Sequence, residues 1–289
     1  MLIVTNNGGI EKRMLKIGIR GHDLPGAPFD NVDDMIASMK DVGINYLQFV
    51  YKKAFKDFKK DKDFLFDCQK KFKENGISVG MIGAYFNMIH PNEQKRKDGV
   101  EYFKWVMETA QIFDCQLVGS ETGSSYGDKW LLTEYNHTED AFKRVLETII
   151  DLKDFGTSYN ARPIIEGAYA HTIYHPDGLK LVIDETGITD VTVDIFNYLY
   201  PGNYEDRKAI FDRCLELFKD KIKVFHMKDF NVVDGKLVQC AIGDGIMEYD
   251  YYIKKIKENC PDAYLILEGV TGRENIIKSI ECIRRNEND

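Results

Sequence analysis

The strongest constraint in this sequence is a phrase that recurs about eight times from Lys16 onward. Each recurrence is a short apolar, β-branched run, a polar or glycine-containing turn, and a longer stretch with apolar residues at three-to-four spacing. The runs predict strands over 16–20, 44–50, 77–84, 115–120, 162–166, 191–194, 222–226 and 264–268. The longer stretches predict helices such as 31–42, 93–113, 138–155, 176–186, 204–218 and 249–259. The lysine-rich stretch 52–73 and the run Lys95-Arg96-Lys97 read as solvated helix faces. Parallel neighbours in a sheet need a long crossover between them, and a helix after each strand supplies it. No linker rich in Pro, Gly or Ser divides the chain, and it holds only seven prolines. The expected fold class is therefore α/β, a single (β/α)8 barrel over 14–289, with 1–13 as a polar N-terminal tail. An open doubly wound sheet is the rival. It lacks support because no GxGxxG follows the first strand and Ile242-Gly243-Asp244-Gly245 does not match the dinucleotide fingerprint.

Charge narrows the partner. Thirty-nine Lys and Arg against 47 Asp and Glu leave a net charge of −8, the wrong sign for neutralising many phosphates, so no nucleic-acid partner is expected. No apolar run approaches the ~20 residues of a membrane span, and the start of the chain lacks an apolar signal core, which points to a cytoplasmic protein with no membrane partner. Six cysteines at wide spacing with no CxxC pair read as reduced thiols.

Chemistry in such a barrel sits at the C-terminal ends of the strands. Glu166 closes PIIE, Asp194 closes VTVD, His226 closes KVFH and Glu268 closes LILE, on four consecutive predicted strands. Any one of these is explained as readily by a helix cap or an ion pair. Together they aim four ligands at one place. Three carboxylates so close would repel one another and raise their own pKa values unless a positive charge sat among them. Carboxylates and an imidazole without a thiolate suit one divalent metal, Mn2+ or Mg2+ ahead of Co2+ or Zn2+.

The phrases IIEGAY, VTVDIFNYL, KVFHMKDF, IGDGIMEYD and YLILEG, over 16 to about 285, resemble the xylose-isomerase-like TIM barrels. That group holds sugar phosphate isomerases and epimerases, ketose 3-epimerases among them. The resemblance implies one divalent metal, Mn2+ foremost, held by Glu166, Asp194, His226 and Glu268, and polarising a sugar carbonyl. It implies Glu166 and Glu268 as catalytic base and acid on opposite faces of the substrate, with a cis-enediolate between. It also implies a sugar, sugar phosphate or polyol as substrate and assembly as a homo-oligomer. Substrate contact is expected of His22 after KIGIRG, of His90 in Asn87-Met88-Ile89-His90-Pro91, and of Lys228, which shares the face of His226. Arg273, after the eighth strand, is a further substrate-binding candidate as a bidentate clamp for phosphate or carboxylate.

Asn197 stands where the ketose 3-epimerases carry a histidine; it can bind a hydroxyl but cannot carry a proton. Epimerisation and isomerisation are therefore held together as one expectation. Glu121 follows the fourth strand. His171 and His175 read as loop and helix-start residues, and Tyr85, Phe86, Tyr169, Phe196 and Phe230 as apolar wall or core. Three other readings of the same barrel are a polyol dehydratase similar to inosose dehydratases, an apurinic endonuclease-like phosphodiesterase, and a sugar-binding barrel without turnover. The endonuclease needs three zinc ions and extra histidines where Gln48 and Asn197 stand.

Overall fold

Each apolar run becomes one stave of a closed barrel in the computed structural model, which describes residues 2–4, 10–12 and 14–288. The strands are β1 (Lys16–Arg20), β2 (Tyr46–Phe49), β3 (Ser78–Gly83), β4 (Leu117–Glu121), β5 (Arg162–Glu166), β6 (Asp190–Asp194), β7 (Ile222–Met227) and β8 (Tyr264–Leu267). All eight are parallel and pair in chain order, and β8 returns to β1 with Tyr264 opposite Lys16 and Leu267 opposite Ile19. The helices that carry the chain back are α1 (Val32–Asp41), α2 (Lys62–Glu74), α3 (Glu93–Ala110), α4 (Glu139–Thr157), α5 (Pro176–Thr186), α6 (Arg207–Phe218), α7 (Tyr249–Asn259) and α8 (Arg273–Asn288). A closed parallel sheet with an outer helical ring is the (β/α)8 architecture that the sequence phrase predicts.

Local chemistry sets the helix boundaries. The side chains of Asn31, Asn92 and Thr138 accept from backbone N–H groups in the first turns of α1, α3 and α4. Pro176 opens α5, and Gly187, at φ 70, ends it in the left-handed conformation that glycine adopts without strain. Helix α1 buries Val32, Met35, Ile36 and Met39, an i, i+3, i+4, i+7 stripe against the sheet. The lysine-rich stretch contains α2, whose inner face is Leu65, Cys68 and Phe72. Inside the barrel the staves approach closely: a Cβ on Gly119 would meet Met81 Sδ at 2.8 Å. A side chain at 119 would push the flexible end of Met81 aside.

Three differences from the sequence reading bear on the site. Strand β4 ends on Glu121 rather than on Ser120, so a further carboxylate closes a strand. Glu268 lies one residue beyond β8. After β7 the chain also makes a hairpin that the sequence reading does not anticipate, Asp229–Val233 paired antiparallel with Lys236–Cys240. Its turn, Asp234-Gly235, has positive φ at both residues. At the N-terminus Leu2–Val4 pairs antiparallel with Ile10–Lys12; the expectation of a tail over 1–13 otherwise falls on 1, 5–9 and 13, which lie outside the described residues. Among the described residues no helix is long and apolar enough to cross a membrane.

Candidate active site at the barrel mouth

Strand geometry brings the four predicted ligands together. Glu166 and Asp194 end β5 and β6, His226 is opposite Asp194 in the β6–β7 register, and Glu268 follows β8. One ligand atom from each residue lies within 4.8 Å of the others. His226 Nδ1 is 2.7 Å from Glu268 Oε2, 3.1 Å from Glu166 Oε2 and 3.9 Å from Asp194 Oδ2.

The imidazole is oriented from behind. Gln48, wholly buried on β2, donates through Nε2 to the Tyr85 hydroxyl at 2.7 Å, which leaves its Oε1 to accept from His226 Nε2 at 2.8 Å. An acceptor at Nε2 places a hydrogen there and turns Nδ1 into the cluster. Three of the converging atoms, Asp194 Oδ2, His226 Nδ1 and Glu268 Oε2, are buried and make no well-aligned hydrogen bond among the described residues, although each has an oppositely charged group within 2.7 Å. Buried polar atoms are nearly always paired. Three such poorly satisfied atoms facing a common centre, all hard or borderline donors, fit a divalent cation bound by Glu166, Asp194, His226 and Glu268.

Cations of the chain itself surround the acids. Arg20 Nη1 contacts Glu268 Oε1 at 2.8 Å, while Arg20 Nε donates to Asp23 at 2.7 Å. Asp23 also accepts from the Gly269 N–H, so it ties the ends of β1 and β8 together beside Glu268. Lys228 Nζ lies 2.6 Å from Asp194 Oδ2 and 2.9 Å from Glu268 Oε1, an ion pair with each acid. It donates to Asn197 Oδ1 at 2.9 Å. Asn197 Nδ2 donates to Glu166 Oε1 at 2.6 Å, so this amide bridges an acid and an ammonium.

Electrostatics follow from this crowding. Burial opposes the His226 cation, but Glu166 and Glu268 outweigh it and hold the imidazole up at about 10. Burial raises Asp194 to about 6 against the pull of Lys228, with Glu166 and Glu268 adding repulsion. For Glu268, burial is outweighed by His226, Lys228 and Arg20, which hold it well below the usual carboxylate range. Burial, then Glu166 and Glu268, push Glu121 well above that range.

The remaining expected residues divide. Lys228 and Asn197 stand in the cluster. His22 lies in the short turn after β1 with Nδ1 buried and unpartnered; burial and Arg20 lower it to about 4. His90 is committed to its own loop: Nδ1 accepts from the Asn92 N–H and Nε2 faces Asp128 at 3.2 Å. Arg273 is not brought to the cluster. It opens α8, is 54% exposed, and pairs with Asp41 at 2.7 Å. The sequence reading gave no role to Arg20, although it closes KIGIR just as Glu166 closes PIIE. A cavity of ≈ 640 Å³ on the same end of the barrel, lined by His137, Tyr169, Tyr174, Tyr200 and Arg213 among others, includes none of the four ligands.

Solved structures share this architecture. A xylose isomerase-like TIM barrel protein from Mycobacterium smegmatis in complex with magnesium superposes with a TM-score of 0.72 at 12% identity, over 95% of this chain and 97% of that one. A D-tagatose 3-epimerase-like protein gives 0.73 at 16% identity, over 95% and 97%. The 3-keto-D-glucoside 4-epimerase of E. coli, in its apo form, gives 0.69 at 13% identity, over 94% and 100%. At such identities the likeness establishes the fold. No curated protein matches the chain in sequence. The family model of the xylose isomerase-like TIM barrel matches residues 36–286, from the first helix of the barrel to its last, and the chain belongs to that family.

Proposed function

We propose that this protein is a divalent-metal-dependent isomerase or epimerase of a sugar or sugar phosphate, with Glu166 and Glu268 as its proton-transfer pair. The convergence of Glu166, Asp194, His226 and Glu268 within 4.8 Å, with three of their atoms buried and lacking an aligned hydrogen bond among the described residues, carries the reading. A bound metal would supply Lewis acidity, withdrawing electrons from the sugar carbonyl so that the neighbouring C–H becomes acidic. Mn2+ is the first choice, and the magnesium of the M. smegmatis protein keeps Mg2+ beside it.

The chain's residues do the rest. Glu166 is steadied by Asn197 through Oε1 and removes the proton on one face. Glu268, fixed by Arg20 and Lys228 through Oε1, serves the opposite face. Lys228 places a positive charge where the enediolate oxygens develop negative charge. Asn197 cannot carry a proton, so it positions and does not relay. His22 stands beside Arg20 at the rim as a hydroxyl contact, and the names of the epimerase neighbours support a small polyhydroxylated substrate. Dehydration of a polyol is the second reading, favoured by the Lys228 ammonium, which could protonate a departing hydroxide.

The test is deuterium uptake from heavy water into ketoses by Mn2+-loaded protein, followed by NMR. Wild type is expected to exchange the hydrogen next to the carbonyl, and Glu166→Gln to lose at least about a hundredfold in rate. Unchanged exchange in that variant removes Glu166 from the pair. Release of a dehydrated product selects the second reading.

A further inference from the structure

The loops after β4 and β5 are cross-tied beyond what their own connection requires. Asn136, fully buried, donates through Nδ2 to the carbonyls of Ala170 at 2.7 Å and Leu131 at 3.1 Å and to Ser124 Oγ at 3.0 Å. Its Oδ1 accepts from the Ser125 N–H at 2.9 Å. Thr122 Oγ1 accepts from the Ile173 N–H at 3.3 Å, and the loop after β5 closes on itself through Ala168 N–H to Ile173 carbonyl and His171 N–H to Ala168 carbonyl. A fully connected polar network of this kind holds both loops as one wall.

Two polar groups face each other across that wall, Glu121 Oε1 and His171 Nδ1, 3.9 Å apart. His171 is 4% exposed, and its Nδ1 has no hydrogen-bond partner. The edge of Trp130, with ring centroids 5.0 Å apart, covers the imidazole. Among the described residues Glu121 Oε1 receives a single long bond, 3.4 Å from Asn197 Nδ2, whose short bond goes to Glu166. The 3.9 Å separation is too long for a hydrogen bond, and a single oxygen admitted about 2.8 Å from each group would bridge it. Leaving an imidazole nitrogen buried and unpaired is costly, so a rigid wall that does so is shaped for a polar atom that arrives from outside. The Glu121 side chain remains 19% exposed, which leaves a way in.

We propose that Glu121 and His171 form a hydroxyl-recognition subsite that grips the substrate beyond its reacting carbons and sets which polyhydroxylated compound is accepted. The inference rests on the proton-transfer reading above and deepens it. Glu121 is the backbone register partner of Glu166, so a hydroxyl held there is fixed relative to the proposed base. The hydroxyl exchanges one hydrogen bond with the Glu121 carboxyl and one with His171 Nδ1, a pairing an analogue lacking that hydroxyl cannot make.

The experiment compares Mn2+-loaded wild type, Glu121→Gln and His171→Phe on D-fructose and its 4-, 5- and 6-deoxy derivatives, reading deuterium exchange as kcat and KM and metal content per chain. One deoxy sugar is expected to cost wild type about tenfold or more in kcat/KM and each variant about twofold or less. The variants are expected to lose on D-fructose chiefly through KM, with metal content unchanged. The subsite is overturned if all three proteins rank the four sugars alike, or if the variants lose kcat alone. If wild type with metal bound exchanges none of the four, the proton-transfer reading fails and the subsite with it, a result distinct from unaltered ranking by an active enzyme.

Discussion

His226 shows most directly how a single side chain is shared between folding and the proposed metal. Without a metal ion, Glu166 and Glu268 keep its proton to about pH 10, although burial opposes it. Because Nε2–H is directed to Gln48, the removable proton is on Nδ1, the atom a metal needs. Binding of Mn2+ at pH 7.5 is therefore expected to release about one proton per chain, read by calorimetry as an enthalpy that differs between phosphate and Tris in proportion to their ionisation heats; equal enthalpies would sink the assignment. The metal-free protein carries a matching signature. A folded value raised above the unfolded 6.5 contributes stability that is fully present below pH 6.5 and is lost as pH rises toward about 10. The urea midpoint of chelator-treated protein should fall over that window, and His226→Gln should flatten the fall; an equally steep fall in the variant assigns it elsewhere. Legibility at this scale follows from position. Glu166, Asp194, His226 and Glu268 each close an apolar run, so the sequence pattern exposes them. Gln48 sits within its run and meets its partner 178 residues away, which leaves no local trace. His171 depends on two loops being tied together, which no periodicity reports.

The element that departs most from expectation is the hairpin after β7, and its first residue explains the phrase that follows it. Asp229 accepts four backbone N–H groups: Oδ1 from Phe230 at 2.8 Å and Met247 at 3.0 Å, Oδ2 from Gly243 at 2.9 Å and Gly245 at 3.1 Å. The carboxylate fills a nest made by the Ile242-Gly243-Asp244-Gly245 turn. A Cβ on Gly245 would overlap Asp229 Oδ1 and the Phe230 carbonyl, and Gly243 has φ 90, so both glycines are required by the turn. HxKD and IGDG are thus one structural unit, in which Lys228 faces the acids and Asp229 faces the loop. Asp229→Ala would strand four donors, and we expect it to lower unfolding free energy by at least about 2 kcal/mol in urea melts. Gly245→Ala should do the same by displacing Asp229, and a loss below about 0.5 kcal/mol in both would show the nest to be incidental. The hairpin was in fact readable: Asp234-Gly235 between Val232-Val233 and Leu237-Val238 is a strong signal for a two-residue turn. Strand-then-helix periodicity does not report it, because an excursion from a barrel does not interrupt the repeat.

At the scale of the whole molecule, closure of the sheet and the charge at its mouth act on each other. The β8–β1 pairing joins the two ends of the repeat, and Asp23 reinforces it by binding both Arg20 from β1 and the Gly269 N–H after β8. The same closure forces Glu166, Asp194 and Glu268 together around His226, an arrangement the unfolded chain lacks. Folding without a metal therefore gathers three acids whose repulsion Arg20, Lys228 and a protonated His226 offset. A divalent cation that binds only the folded barrel must stabilise all of it through mass action, by about 2.7 kcal/mol at a hundredfold excess over Kd. For a chain of this length that corresponds to a rise of roughly 5 °C in Tm. Thermal unfolding with chelator and then with saturating Mn2+ should show this rise in wild type. Asp194→Ala should abolish it, because its wholly buried carboxylate is one of the four convergent ligands. Arg273→Ala, on the outer surface against Asp41, should keep the full rise. A rise that survives in Asp194→Ala would place the stabilising ion elsewhere on this acidic chain, and no rise in wild type would mean that the four convergent side chains serve the barrel without a metal.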